Sequence, residues 1–407
     1  MNLELPLDRP PPGFDPADIQ APPWQERDRP VMALALDLAG RCNIACRYCA
    51  ESASQPHHRP FMSPDTLAKA WDWLIPDGIP RQGSSIRLGS GEPLLAMPLL
   101  QDLADRLERL RQAGQVPPEV FLTTNGTLAD AEVRDWLVSK GWHVKISLDG
   151  PQAIHDQWRV TAAGRGTHGQ VAEAVEALAK RMPDRFSVTA VLCRGNDPQA
   201  VFDGISSLGV RRIELVPVVH SDPNILPDGK DLARYRAFTE AWVDDWLAAP
   251  EGTEPAELVR LTNAARRTMG YDVKRVVCGA GRNFFGVGPE GDIYPCFRFV
   301  GLPEYRLGNI ASGPDGASLK AFRQGVGRTY DQRSDCLDCW SAPLCGGPCF
   351  SCAELFGSGG GAPFALHCDF MRADAHAAVR LVNGLRERSP ERLLALLAGL
   401  VDLHVEA

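Results

Sequence analysis

The first half of the chain alternates short apolar runs with longer segments in which apolar residues recur at helical spacing. The apolar runs have strand length and occupy residues 32–38, 86–88, 120–124, 144–148, 187–192 and 213–218. The helical segments between them are predicted at 97–112, 129–140 and 169–181. A further helix start is indicated at Ser63-Pro64-Asp65, which offers a cap, a proline in the first turn and an early acid. Strands that alternate with helices predict βαβ units and a parallel sheet, that is, an α/β fold.

The flanking segments have different patterns. Residues 1–30 are rich in proline and predict an extended arm. Helical periods at 229–248 and 255–268 predict a bridge whose main role is packing, with lining of a substrate channel as the alternative. Helices near 371–386 and 390–400 are expected to pack back on the first half, with core positions at Leu393, Leu394, Leu396 and Leu397. We therefore divide the chain into an arm (1–30), a sheet-and-helix domain (31–220), a bridge (221–275), a cysteine-rich region (276–370) and C-terminal helices (371–407).

Composition narrows the class of protein. The 407 residues are 44% hydrophobic and 23% charged, as in ordinary globular proteins, and the net charge is -8. That charge argues against nucleic acid or an anionic membrane as a general partner, and the sequence has no apolar run of membrane-spanning length. The acidic, proline-rich start is unlike a signal peptide. Twelve cysteines in such a chain indicate metal or redox chemistry in a reducing cytoplasm, because a disulfide framework requires export.

The most informative motif is the CxxxCxxC triplet formed by Cys42, Cys46 and Cys49. Three thiolates on one loop can bind three irons of a [4Fe-4S] cube, and the fourth iron is then free to bind and reduce a small molecule. A structural zinc site usually has four ligands, and His57 and His58 lie beyond the triplet in a proline-flanked stretch. A thioredoxin-like site would be a lone CxxC without Cys42.

Together with Tyr48 before the last cysteine, this triplet resembles the radical SAM superfamily. The resemblance implies that S-adenosylmethionine binds the open iron and is split by one electron into a 5′-deoxyadenosyl radical, which abstracts a hydrogen from the substrate. It also implies a partial (β/α)6 barrel resembling a TIM barrel. In barrels of this type the chemistry gathers at the carboxyl ends of the strands.

Further motifs follow the later predicted strands. Ser90-Gly91-Glu92-Pro93 resembles the GGEP motif of the family, with serine in place of the first glycine, and the resemblance assigns this segment to the amino group of S-adenosylmethionine. Asn125 lies in a Thr-Asn-Gly turn after the third strand. The SLDGPxxxHDxxR string contains Ser147, Asp149 and Arg159 and resembles the fourth-strand segment of peptide-modifying members. This resemblance implies that the segment contacts the carboxylate and the ribose of S-adenosylmethionine. A hydroxyl and a guanidinium are well suited to bind a carboxylate.

The second half resembles the SPASM domain, because seven of its cysteines match that domain's spacing. The first two frame a turn-rich hairpin that contains Gly291. The resemblance implies two auxiliary [4Fe-4S] clusters besides the one that binds S-adenosylmethionine, three clusters in all. One auxiliary cluster would be bound by Cys278, Cys296 and Cys349, and the other by Cys336, Cys339, Cys345 and Cys368. The first is then open, which we favour, or is completed by Cys352. Cys193 is expected to be a buried core residue.

The segment IYPCFRFVGLPEYRLGNI resembles peptide thioether maturases. The resemblance implies an enzyme that abstracts hydrogen from a ribosomally made precursor peptide and forms an intramolecular cross-link, either a thioether or a carbon–carbon link. Sulfatase maturases, which make formylglycine, place an acid after the hairpin cysteine. Here Phe297 holds that position, and a phenyl ring cannot accept a proton, so formylglycine formation ranks lower. Radical chemistry on a small molecule is another alternative, and a pure electron carrier is the least favoured.

The same resemblance implies the partners of the enzyme. An electron donor such as flavodoxin or ferredoxin would reduce the cluster. Several thioether maturases carry an N-terminal winged-helix module that binds the leader peptide, and with Cys42 so early we expect no such module here. A leader would then be recognised by a separate protein, by the barrel itself, or not at all.

Overall fold

In a computed structural model of the chain, the described residues are 7–19, 26, 28–51, 59–273, 275–357 and 364–398. Eleven strands in this part of the chain form one sheet, in the order β11-β10-β9-β8-β1-β2-β3-β4-β5-β6-β7. The strands are β1 (Ala33–Leu36), β2 (Ser85–Leu88), β3 (Glu119–Thr124), β4 (His143–Ser147), β5 (Phe186–Leu192), β6 (Arg212–Pro217), β7 (Glu257–Leu258), β8 (Phe284–Val287), β9 (Asp292–Tyr294), β10 (Gly308–Asn309) and β11 (Gly313–Pro314).

Strands β1 to β7 pair in parallel with their neighbours, and helices connect them. The helices of the described chain are α1 (Pro64–Leu74), α2 (Met97–Gln112), α3 (Ala131–Lys140), α4 (Gln152–Trp158), α5 (His168–Arg181), α6 (Pro198–Ser206), α7 (Gly229–Ala248), α8 (Val259–Thr268), α9 (Gly316–Gln324), α10 (Ser334–Leu337), α11 (Ala342–Cys345), α12 (Phe350–Phe356), α13 (Ala365–Arg388) and α14 (Pro390–Ala398). The predicted α/β fold is confirmed.

Local sequence explains where these elements begin. Helix α1 begins after Ser63, whose hydroxyl accepts a hydrogen bond from Thr66 N at 3.0 Å, as predicted. Helices α2 and α7 have the predicted bounds, and the six predicted strands are each found within two residues. The helix predicted at 255–268 is preceded by a strand that the helical period concealed. Residues 257–258 pair with β6 from Arg212, and the helix begins only at Val259.

The hairpin predicted between the first two cysteines of the second half is formed by β8 and β9, with Gly291 at φ +83° in its turn. Strand β8 also pairs in parallel with β1 along its whole length, so the cysteine-rich region continues the main sheet. Because β1 leads directly into the loop that carries Cys42, this pairing places the two cysteine-bearing parts of the chain at neighbouring positions.

The C-terminal helix α13 packs against the bridge helices α7 and α8, and its buried residues belong to the same hydrophobic core as the strands of the first half. Asp374 on α13 is 1% exposed and joins the three helices. It accepts hydrogen bonds from Tyr235 Oη on α7 at 2.5 Å and from Arg260 Nη2 on α8 at 2.9 Å. A buried carboxylate needs such partners, and both of these lie on the bridge helices.

The ends of the chain differ from the expectation in detail. Helix α13 begins at Ala365, several residues before the predicted 371, and therefore includes Cys368. In α14, Leu393 is buried and Leu396 packs against the core, but Leu394 is 66% exposed, so its prediction as a core position is wrong. The side chain of Leu397 and the residues after Ala398 lie outside the described residues.

The described part of the arm lies along the cysteine-rich region. Trp340 Nε1 donates to Leu7 O at 2.9 Å, and the Phe14 ring packs edge-on against the Trp340 ring. A short 3-10 helix, Pro16–Asp18, interrupts the extended path that the prolines predict. Among the described helices, we find no stretch with the length and apolar character that a bilayer crossing requires.

Removal of the buried carboxylate by Asp374→Ala is expected to destabilise the protein by about 3–5 kcal/mol, because Arg260 then keeps its charge without its carboxylate partner. Asp244→Ala is the matched control, since Asp244 also joins α7 to α13 by pairing with Arg380 but is 62% exposed. Its expected cost is below about 1 kcal/mol. Thermal unfolding of the anaerobically reconstituted variants measures the difference. Equal effects would contradict the role assigned to Asp374.

Candidate active site

A cavity of about 620 Å³ opens at the carboxyl ends of the parallel strands. Residues that follow successive strands line it, including Cys42 after β1, Ser90 after β2 and Asn125 after β3. The carboxyl ends of parallel strands meet at the same edge of a sheet, which is why residues far apart in sequence converge here. The wall continues into the second half of the chain through β8, the neighbour of β1.

The thiols of Cys42, Cys46 and Cys49 all line the cavity and lie within electrostatic reach of one another. Burial raises the pKa of Cys42 to about 11 and that of Cys46 to about 12. At neutral pH these thiols therefore keep their protons unless a metal displaces them. His57 and His58 lie outside the described residues.

The arrangement of donors distinguishes between kinds of metal site. Within the described residues, no three His, Cys, Asp or Glu side chains converge on the position of a single ion. In a mononuclear zinc site, by comparison, all ligands surround one atom. An iron–sulfur cube binds each thiolate to a different iron, so its ligands are spread further apart. Three neighbouring thiols along one wall fit the cube.

Tyr48, the aromatic residue of the triplet, is fixed by a buried pair. Its Oη donates to Asp149 Oδ2 at 2.5 Å, and Arg159 Nε donates to the same oxygen at 3.0 Å. The Arg159 guanidinium lies 5.3 Å from the centre of the Tyr48 ring, and its Nη1 is 3.9 Å from Cys46 Sγ. Asp149 Oδ1 accepts from Val191 N at 3.0 Å. This carboxylate therefore joins the cysteine loop to the ends of β4 and β5.

Glu92 connects the ends of β2 and β3 in a similar way. Its Oε1 accepts from Leu94 N at 3.0 Å and Thr124 Oγ1 at 2.7 Å, and its Oε2 accepts from Asn125 N at 2.8 Å. Burial raises the pKa of this carboxyl to about 7, against the opposing effect of those donors. Both oxygens are used within the protein, so Glu92 supports the wall from behind.

Asn125 faces the cysteine loop from the end of β3. Its Nδ2 donates to Asn43 Oδ1 at 2.8 Å and approaches Cys42 Sγ at 3.5 Å. Its Oδ1 accepts from the backbone N of Thr127 at 2.9 Å and from the hydroxyl of Thr127 at 2.7 Å. The turn after β3 is thus held against the first cysteine of the triplet.

Gly91 lies directly beneath the cysteine loop. Its φ is +59°, and a Cβ placed there would be 2.3 Å from Arg41 O, so only glycine fits. The neighbouring Ser90 hydroxyl is buried on the cavity wall and has no hydrogen-bond partner among the described residues. A buried hydroxyl without a partner suits a polar ligand, which fits the predicted nucleotide site.

The predicted nucleotide contacts separate into two sets. Six of them line the cavity, namely Tyr48, Ser90, Gly91, Asn125, Ser147 and Arg159. Three lie behind its wall and are buried, namely Glu92, Pro93 and Asp149. The motifs therefore combine residues that face the cavity with residues that hold them in place, a division that the sequence pattern does not show.

The cysteines of the second half form two groups. In one, Cys296 lies within electrostatic reach of Cys278 and Cys349. In the other, Cys368 lies within reach of three thiols, those of Cys336, Cys339 and Cys345. These are the same two sets that the SPASM resemblance implies. Burial raises the pKa of Cys336 to about 11 and that of Cys368 to about 12, so this group too is protonated at neutral pH without a metal.

Cys352 belongs to the first of these groups. Its side chain interacts with that of Cys349, and it lies near Cys296 and Arg298. The interaction between the two thiols lowers the pKa of Cys349 and raises that of Cys352. Cys193, by contrast, is 1% exposed within a small apolar cluster, so its prediction as a core residue is confirmed.

Arg260, His367 and Met371 are among the cavity residues that were not predicted from the sequence. Arg260 reaches the wall from the bridge, and His367 and Met371 reach it from α13. Burial lowers the pKa of His367 to about 4, and its Nδ1 is buried without a hydrogen-bond partner in the described chain. The position of His367 next to Cys368 was the one available sequence signal. Arg260 had none, because its place depends on the packing of α8 against α13.

Comparisons with known proteins agree with this geometry. Residues 37–203 match the model of the radical SAM superfamily. A serine-type anaerobic sulfatase-maturating enzyme of Bacteroides thetaiotaomicron is 27% identical over 350 residues, which cover 79% of this chain and 83% of that enzyme. A GTP 3′,8-cyclase of Parasynechococcus marenigrum is 31% identical over 201 residues, 47% of this chain and 54% of that enzyme.

Solved structures show the same fold. anSMEcpe with bound AdoMet superimposes with a TM-score of 0.74 at 20% identity, covering 91% of this chain and 99% of that one. Streptococcus suis SuiB bound to the precursor peptide SuiA gives a TM-score of 0.56 at 16% identity, covering 83% of this chain and 76% of SuiB. The chain has the partial barrel of these proteins, as expected.

The chain is a radical SAM enzyme related to the anaerobic sulfatase-maturating enzymes. Its chemistry accordingly uses S-adenosylmethionine and a [4Fe-4S] cluster.

Gly91→Ala is expected to displace the cysteine loop, because the new methyl group would overlap Arg41 O. The reconstituted variant should lose most of the iron of the N-terminal cluster, measured by iron analysis and by EPR spectroscopy with and without S-adenosylmethionine. Gly114→Ala is the control, since Gly114 has a similar φ of +73° but open space around its Cα. If both variants kept full iron content, the close packing assigned to Gly91 would be refuted.

Glu92→Gln is expected to destabilise the protein by about 1–3 kcal/mol, because the amide nitrogen would face a backbone donor. The ordinary pKa of 4.5 rises to about 7 in the folded protein, so the stability that Glu92 contributes decreases as pH rises through that interval. The gap between wild type and variant should therefore narrow from pH 4.5 to pH 7. Glu251→Gln, in an exposed turn, is the control. Thermal unfolding across pH tests this, and a widening gap would contradict it.

Proposed function

We propose that this chain is a radical SAM peptide maturase that forms an intramolecular cross-link in a ribosomally made precursor peptide. The observation that carries the proposal is the single cavity that joins the N-terminal thiols to both thiol groups of the second half. A substrate placed there contacts the site of radical formation at one end and a second redox site at the other.

The cofactor ligands follow from the grouping of the thiols. Cys42, Cys46 and Cys49 would hold the cluster that binds S-adenosylmethionine. The auxiliary clusters would be held by the two groups of the second half, one formed by Cys278, Cys296 and Cys349 and the other by Cys336, Cys339, Cys345 and Cys368. With S-adenosylmethionine bound, the first cluster supplies a 5′-deoxyadenosyl radical that abstracts hydrogen from the substrate.

The protein's own residues orient the nucleotide. Ser90 and Gly91 offer a free hydroxyl and a close backbone approach beside the triplet, which suits the amino group of S-adenosylmethionine. Ser147 and Arg159 lie across the cavity and suit its carboxylate and ribose. Glu92 and Asp149 keep these groups in place without reaching the nucleotide themselves. Tyr48 is held against Arg159 and limits the movement of the cysteine loop.

Two structures of similar fold contain peptides. One is anSMEcpe with AdoMet and the Cp18Cys peptide, and the other is SuiB with the precursor peptide SuiA. The present cavity has a volume of about 620 Å³, which lies within the range of known ligand sites. The GTP cyclase similarity covers less than half of this chain, so it supports the barrel chemistry and adds little for a small-molecule substrate.

Formylglycine formation is the second candidate, because sulfatase-maturating enzymes are among the relatives. That reaction needs a base to take the proton of a serine hydroxyl or cysteine thiol. Phe297 lines the cavity after the hairpin cysteine, with the Arg298 guanidinium 5.6 Å from its ring centre. A phenyl ring beside a cation offers no proton acceptor at this position, which favours a cross-link.

The enzyme needs further partners under this proposal. A flavodoxin or ferredoxin would supply the electron for cleavage of S-adenosylmethionine. If the barrel does not bind a leader segment of the precursor peptide, a separate protein would recognise it.

The proposal is tested by anaerobic incubation of the reconstituted protein with S-adenosylmethionine, dithionite and a candidate precursor peptide, taken from any short reading frame beside its gene. A loss of two hydrogens from the peptide, with a gap in fragment ions across the linked residues, is expected. A hydrazide probe distinguishes the second candidate, because formylglycine is an aldehyde and a cross-link is not. Cys46→Ala should abolish the product, whereas Glu251→Gln should form it normally.

Other outcomes identify the alternatives. A hydrazide adduct on the product, or on a sulfatase peptide used as a second substrate, would establish formylglycine formation. If 5′-deoxyadenosine formed and no peptide changed mass, a small-molecule substrate would replace the peptide. If no 5′-deoxyadenosine formed under any condition, the remaining interpretation would be an iron–sulfur electron carrier.

A further inference from the structure

We propose that Cys352 is the fourth thiolate ligand of the auxiliary cluster held by Cys278, Cys296 and Cys349, so that this cluster is closed to the substrate. This inference rests on the proposed function and specifies the role of one of its redox sites. It reverses the preference drawn from the sequence, which favoured an open iron.

Helix geometry places Cys352 close to Cys349, which is one of the seven cysteines that match the SPASM spacing. Cys349 is the N-cap of α12, and Cys352 lies three residues later in its first turn. Side chains three residues apart on a helix are neighbours, with Cβ atoms about 5–6 Å apart. The two side chains interact with each other and both line the cavity, so their sulfurs lie on the same side of the helix start.

The surroundings of Cys352 connect it to this group of thiols. Cys296 is among its neighbours, and Cys296 in turn lies near Cys278. The other group already has four thiols, because Cys368 lies near Cys336, Cys339 and Cys345. Assigning Cys352 to the first group gives each auxiliary cluster four thiolates.

The position of Cys352 relative to the cavity decides what the cluster can bind. Cys349 and Cys352 line the cavity, whereas Cys278 and Cys296 do not. A fourth ligand at Cys352 would therefore lie on the side of this thiol group that borders the cavity. A substrate thiolate could reach an iron there only by displacing a ligand that belongs to the protein.

A charge argument supports four thiolates at this site. The Arg298 guanidinium lies within electrostatic reach of Cys352, Cys349 and Cys296. A cube with four cysteine thiolates carries net negative charge, and a cation in partly buried surroundings compensates it. Arg298 thereby favours the more negative, reduced state of the cluster. A closed cluster beside a cation is suited to accept an electron and is unsuited to activate a substrate sulfur.

The test compares wild type, Cys352→Ala and Cys352→Ser, with Cys193→Ala as the matched control that removes a thiol elsewhere. Each reconstituted holoenzyme is saturated with S-adenosylmethionine, which occupies the open iron of the first cluster, and ¹³C-cyanide is then added. EPR and ENDOR spectra of the reduced proteins report whether cyanide binds an auxiliary iron. We expect no ¹³C coupling in wild type or Cys193→Ala, and a new coupling in Cys352→Ala.

The remaining outcomes each decide the question. Loss of the irons of one cube in Cys352→Ala, with the other auxiliary signal intact and a shifted EPR spectrum in Cys352→Ser, also supports ligation. Cyanide coupling to an auxiliary cluster of wild type would overturn the proposal. Variant spectra identical to wild type would overturn it as well. Because these spectra need no peptide, failure of this inference is distinguishable from failure of the proposed function.

Discussion

Buried carboxylates that accept hydrogen bonds from several segments of the chain hold the cysteine loops in place. Glu92 and Asp149 are each fully buried, and each joins the ends of two neighbouring strands. A buried carboxylate that lost these donors would cost several kcal/mol, so the loops have one favourable arrangement. Asp37 acts similarly beside β1, where it pairs with Arg59 at 2.7 Å and accepts from Gly40 N at 2.8 Å. The positions of the thiols and of the cavity wall depend on these contacts.

The thiols themselves oppose this arrangement until a metal binds. Burial raises the pKa of Cys42, Cys46 and Cys368, and neighbouring thiols raise each further once charged. Binding of iron must therefore release protons, and the favourable free energy of that step is coupled to the folded state. The sheet also holds the thiols in position for the metal. Strand β8 pairs with β1 and fixes the hairpin region beside the N-terminal cysteine loop.

Much of the fold could be predicted from the sequence, because strand runs and helical periods depend on local pattern. The resemblance to the SPASM domain also implied which thiols of the second half lie together. What failed depends on tertiary contacts. Strand β7 forms only because β6 offers it a partner, and Leu394 is exposed because α14 turns that side away from the core. The sequence could not show that Glu92 and Asp149 lie behind the wall, or that Arg260 and His367 reach the cavity.

The central claim is that a radical formed beside Cys42, Cys46 and Cys49 takes hydrogen directly from a peptide in this cavity. The most direct measurement uses the precursor peptide with deuterium at its α-carbons and side-chain carbons, together with unlabelled S-adenosylmethionine, and analyses the 5′-deoxyadenosine by mass spectrometry. The account predicts one deuterium transferred for each cross-linked peptide. 5′-Deoxyadenosine without deuterium, formed alongside a modified peptide, would contradict it.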